Sequence, residues 1–161
     1  MIFCSSNGSV CANLLPTARE IIEIEIASKY PRETGGILIG LYDANRHLAT
    51  IHIATGPTED SRNNSMTFER GVKGIDEKIF FAQKEISPNL HYVGEWHSHP
   101  DSSPLPSYTD LKQMQTFAKN GQLGIKSPLL LIVGGKPQKK LEWVFSLHKY
   151  KKAPLFLEPL K

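Results

Sequence analysis

HYVGEWHSHP, residues 91–100, decides how the chain is read. It is a β-favouring run that carries two histidines two apart and stops at a proline. Side chains at i and i+2 of a strand leave from one face. His97 and His99 therefore point the same way, with ring nitrogens able to meet on one small ion. Pro100 ends the strand and turns the chain. The same parity puts Glu95 on the histidine face and sends Trp96 and Ser98 to the other, Trp96 toward a core. An H-x-H pair in a strand often binds nothing, so the reading depends on what else the chain brings to it.

Seven residues separate His99 from Ser107-Tyr108-Thr109-Asp110, which opens a helix expected to run to Lys119 and to end at Asn120-Gly121. By itself S-x-x-D is a capping box, with Ser107 as N-cap and Asp110 three residues on. If the intervening loop folds back, the Asp110 carboxylate reaches the two imidazoles. Two neutral nitrogens and one carboxylate make a three-ligand zinc set with an open fourth position. Glu95 is an alternative carboxylate, as ligand or as base. Asp101 is expected at the rim. His47, His52, His91 and His148 have no partner pattern and read as plain surface or strand residues.

The rest of the chain alternates short β-rich and helical segments. Asn7-Gly8 between two short runs predicts a hairpin. Pro16 opens a helix whose apolar positions Ala18, Ile21, Ile22 and Ile26 recur at near-helical spacing, and Tyr30-Pro31 ends it. GGILIGLY (35–42) and HLATIHIAT (47–55) predict an antiparallel pair, followed by a polar loop, GPTEDSRNNS (56–65). Val72 to Ile86 predicts a second helix. PLLLIVGG (128–135) and KLEWVFSLHKY (140–150) predict strands, and APLFLEPLK a short edge strand. Without steady β-α-β order, the class is α+β, an α/β/α sandwich on a mixed sheet.

Composition narrows the function. The chain has 161 residues, 40% of them hydrophobic and 22% charged, which suits one domain over 1–161 with one substantial core. A formal charge of +3 is too mild for nucleic acid. The basic cluster Lys136, Lys139, Lys140, Lys149, Lys151 and Lys152 reads as a solvated turn and tail. No apolar run is long enough to span a membrane, and the N-terminus has no signal-peptide pattern. Cys4 and Cys11 are therefore expected as reduced thiols of a cytoplasmic protein. The acceptor patterns at 7–9 and 63–65 then mean turns only.

Taken together, Glu33 in ETGGILIG (33–40), His97-Ser98-His99-Pro100 and Ser107-x-x-Asp110 resemble the JAMM motif of the MPN+ zinc metalloproteases. The resemblance runs from about residue 15 to 148 and includes the order of elements. It implies an MPN-like domain with a curved mixed sheet flanked by helices, and one catalytic Zn2+ on His97, His99 and Asp110. It implies Glu33 as general base and Ser107 as the donor to the developing oxyanion. It also implies a protein substrate with an extended C-terminal tail, in a groove walled by the loops 56–68 and 100–107. The GEWHSHP form is similar to bacterial members. Those suggest reversal of nucleotidyltransferase conjugation in the antiphage system CBASS. Bacterial ubiquitin-like (BIL-type) deconjugation, sulfur-carrier processing and a non-catalytic MPN binding module are the alternatives.

Overall fold

The computed structural model describes residues 1–63, 68–69, 71–121 and 124–160. In chain order the elements are β1 (Ile2–Cys4), β2 (Cys11–Leu14), α1 (Pro16–Lys29), β3 (Gly35–Tyr42), β4 (Leu48–Ala54), β5 (Arg62–Asn63), β6 (Phe68–Glu69) and α2 (Ile75–Glu85). They continue as β7 (His91–Pro100), α3 (Tyr108–Asn120), β8 (Leu129–Lys136), β9 (Lys140–Leu147) and β10 (Leu155–Pro159). No helix among the described residues is long and apolar enough to cross a membrane.

Eight strands form one sheet in the order β1-β10-β9-β8-β7-β3-β4-β2. The sheet is mixed, with β2 parallel to β4 and β7 parallel to β8. It corrects the expected sandwich, because it closes. The N-terminal hairpin bridges the two ends: β1 pairs with β10, and β2 runs beside β4. The C-terminal segment is therefore an interior strand rather than an edge. Local pattern announced a hairpin at Asn7-Gly8 but not its distant partners.

Helix α1 packs on the inner face of the sheet along one stripe. Ala18, Ile22 and Ile26 on one stripe of that helix meet Leu38, Val93, Trp96, Leu131 and Phe145 from the inner face. Ile21, expected on the apolar side, is 45% exposed, because the buried stripe is narrower than the run of isoleucines. Outside the sheet, α2 sets Ile75 and Ala82 against Ile37, Ile39 and Tyr92. Helix α3 sets Met114 against Leu130 and Ile132. One helix thus packs on the inner face of the sheet and two on the outer.

The hairpin carries a second correction. Its turn is held by the Asn7 carboxamide oxygen, which accepts from the Ser5 and Ser9 hydroxyls and the Ser9 N–H. Its register sets Cys4 directly opposite Cys11, with Cα atoms 4.1 Å apart, and the two are joined by a disulfide rather than held as free thiols. In the described part of the 56–65 loop, the Asp60 carboxylate accepts the Val72 and Lys73 N–H groups and the Thr58 hydroxyl. The Val72 N–H bond leads these in holding its pKa down at about 2. Residues 64–67 of that loop, with the second acceptor pattern and part of one expected groove wall, lie outside the described residues. The six lysines of the basic cluster are all exposed.

Candidate metal centre

Strand β7 crosses the sheet next to β3, with Gly35 opposite His97 and Ile37 opposite Glu95. Between Leu38 and Ile39 the register slips by one, so that β7 carries an extra residue, Val93. Such a bulge reverses face parity. Tyr92 therefore shares the outer face with Glu95, His97 and His99, while Val93 and Trp96 join the inner core. Trp96 is fully buried and donates its indole N–H to the Thr55 carbonyl at 2.8 Å.

Beyond Pro100 the chain folds back as the site requires. Asp101 N–H donates to the Gly135 carbonyl, Gly135 N–H to the Ser102 carbonyl, and Ser102 N–H to the His99 carbonyl. A Cβ on Gly134 would collide with Ser102 O and Pro104 N, so the loop can lie on β8 only over a glycine. Ser107 then caps α3. Its Oγ accepts the Asp110 N–H at 3.2 Å, and its own N–H donates to Asp110 Oδ2 at 2.6 Å. The box that starts the helix also aims the Asp110 carboxylate toward the two imidazoles.

The result is a compact cluster. His97 Nε2 and His99 Nε2 are 3.1 Å apart. Asp110 Oδ1 lies 3.5 Å from the first and Oδ2 lies 3.6 Å from the second. One candidate ligand atom from each of the three residues falls within 4.8 Å of the others. His97 is buried and the other two are half-buried. Two imidazole nitrogens and a carboxylate, converging from a strand and a helix start, fit a divalent cation with one side open. Burial pushes the Asp110 carboxyl up, but the two imidazoles and Ser107 more than reverse this, leaving it well below the ordinary carboxylate range. Burial pulls His99 down, yet Asp110, Glu33 and the Ser103 carbonyl outweigh it and the net shift is upward.

Glu33 joins this cluster from more than sixty residues away. Counting back from Gly35 opposite His97, it falls opposite His99 on the same face. The residue is buried, at 8% exposure. Desolvation raises its pKa, the histidines oppose the rise, and Asp110 adds to it. Ser98, on the far face of β7, holds this segment in place. Its Oγ accepts Thr34 N–H at 3.0 Å, and its N–H donates to Thr34 O at 2.8 Å. The Thr34 hydroxyl donates in turn to Glu25 of α1.

Glu95 is brought to the cluster's edge, not its centre. It is 6% exposed, and the Tyr92 hydroxyl donates to its Oε1 at 2.6 Å. Asp101 stands at the rim as expected, accepting from Tyr30 and paired with Lys136. Sequence reasoning missed Tyr92, because the bulge that turns it is invisible in the alternation. It also missed Gly134, although the Gly-Gly pair was in view. His148 is a further surprise: it is fully buried and bonded to Ser146 Oγ at 2.9 Å. Desolvation pulls its pKa down to about 4.

Residues 16–146 match the family model described as prokaryotic homologs of the JAB domain. The chain belongs to that family. A protein of Enterobacter hormaechei named CD-NTase/cGAS isopeptidase is 42% identical over 105 residues, 65% of this chain. The match spans 57% of that relative's length. A Sinorhizobium fredii protein named as a probable metalloprotease is 27% identical over 126 residues, 71% of each chain. The solution structure of a Desulfitobacterium hafniense protein superposes with a TM-score of 0.61 at 18% identity, covering 91% of this chain and 90% of that one, which supports the fold.

Proposed function

We infer that this JAB-domain chain is a zinc-dependent isopeptidase that cuts behind the extended C-terminal tail of a conjugated protein. The observation that carries this reading is the meeting of His97, His99 and Asp110 within one ion's reach, with buried Glu33 beside them. His97, His99 and Asp110 would hold the zinc. When bound, the ion acts as a Lewis acid and makes water a better nucleophile at neutral pH. Glu33 takes a proton from the attacking water as its oxygen bonds to the scissile carbonyl carbon. It passes that proton to the nitrogen as the C–N bond breaks. A carboxyl whose pKa is raised by burial is suited to both halves of that task. Ser107 Oγ accepts from Asp110 N–H, which leaves its own O–H to donate to the carbonyl oxygen as charge develops.

The name borne by the Enterobacter relative supports a nucleotidyltransferase conjugate as the substrate, and the role we propose is the reversal of that conjugation within CBASS. Ubiquitin-like and sulfur-carrier tails are the other substrates to test.

Purified protein is expected to hold near-stoichiometric zinc, and Asp110→Ala, His97→Ala and His99→Ala to lose it together with cleavage. Absence of zinc from the parent protein would sink the reading. Glu33→Ala is expected to keep fold and zinc while cleavage of a tail fusion, followed by mass spectrometry, falls about 10²- to 10⁴-fold. Cleavage at the parent rate would return the base to the other carboxylate of the face, Glu95.

A further inference from the structure

The two histidines of the centre differ at their second ring nitrogen. His99 Nδ1 lies 3.2 Å from the Ser103 carbonyl. The polar contacts of His97 run through Nε2, and among the described residues no acceptor sits on its Nδ1. A histidine that gives Nε2 to a metal keeps its proton on Nδ1. Ligating histidines almost always donate that N–H to a carboxylate, a carbonyl or water.

Beside His97 a recess of about 10 Å³ opens between β7 and α3. That is the size that seats one water. Glu95, Asp110 and Gln113 supply its polar wall, and Met114 and Leu130 its apolar one. Glu95 faces it on the same side of the strand as His97. A carboxylate this deep is costly unless bonded, and the Tyr92 hydroxyl, turned onto this face by the bulge at Val93, donates to it.

We propose that Glu95, braced by Tyr92, is the acceptor for His97 Nδ1–H through one water in this recess. Glu95 is then a positioning residue that orients a metal ligand, and neither a ligand nor the base. This rests on the metal-centre reading above. It accounts for a carboxylate on the ligand face that sits under α3, behind His97, while His99 and Asp110 are the more open members.

The test is zinc affinity by chelator competition. Glu95→Ala is expected to weaken zinc about 10- to 100-fold. Glu95→Gln, whose carbonyl still accepts from Tyr92 and from water, is expected to recover most of that loss. Tyr92→Phe should show a smaller loss in the same direction. Parent-like affinity in Glu95→Ala overturns the role of Glu95 and leaves the metal centre intact. A parent protein that binds no zinc overturns both. Should Glu95→Ala not fold, the imidazole N–H of His97 in the zinc-loaded parent decides. An NMR signal slow to exchange with solvent supports the bridge. Fast exchange in the parent refutes it.

Discussion

Along β7 the inner face, Val93, Trp96 and Ser98, and the outer face, Tyr92, Glu95, His97 and His99, are built on opposite principles. Inside, side chains are apolar and interlock with α1, and the one polar member, Ser98, is satisfied by the Thr34 backbone. Outside, under α3, the strands carry buried polar groups. Glu95 is in register with Leu130 and Leu130 with Ser146, which bonds His148. The inner face lowers the free energy of folding by removing apolar area from water. The outer face spends part of that stability on groups that are useful only in a fixed arrangement. One strand thus anchors the fold and presents the site, and Ser98 links the two by holding the Glu33 segment.

The sharpest way to break this contrast is Trp96→Ala. Loss of a fully buried indole is expected to cost about 3–5 kcal/mol in denaturant titration, with zinc per folded molecule unchanged. A cost near zero would mean that the inner face does not carry the stability. The outer face should fail in acid instead. His148 has its folded pKa lowered to about 4 from 6.5. Its contribution is therefore fully present above about pH 6.5 and is lost as pH falls toward 4, because the unfolded state takes up the proton first. The shift corresponds to about 3 kcal/mol. The pH–stability curve of the metal-free parent should be steeper than that of His148→Gln across that window, and parallel curves would contradict it. Ser98→Ala tests the link between the faces. Leaving the Thr34 N–H unpaired is expected to cost about 1–3 kcal/mol and to slow cleavage through Glu33 while zinc is retained. Unchanged turnover would detach Ser98 from the site.

Much of this was legible because it is local. Strand parity placed His97 and His99 together, and S-x-x-D gave both the cap and the third carboxylate. Pro16 and Gly121 mark helix ends where a sequence reader expects them. What escaped was long-range or irregular. The bulge at Val93 inserts one residue into an otherwise regular alternation, and so hides Tyr92. The pairing of Cys4 with Cys11 follows from hairpin register, whereas the expectation of free thiols came from compartment. His148 lies only two residues from its partner Ser146, so the bond itself is local, and what the sequence does not carry is the full burial of the pair.

The chain's order of residues determined which groups exist and which face of a strand or end of a helix each occupies, since backbone periodicity is a property of a few neighbours. Tertiary structure decided the closure of the sheet through β1 and β2, the burial of Glu33 opposite His99, and the sinking of Glu95 behind His97. Those depend on register between distant strands and on what is packed above them. The same burial that raises the Glu33 carboxyl and lowers the His148 imidazole is a property of the assembled layers alone.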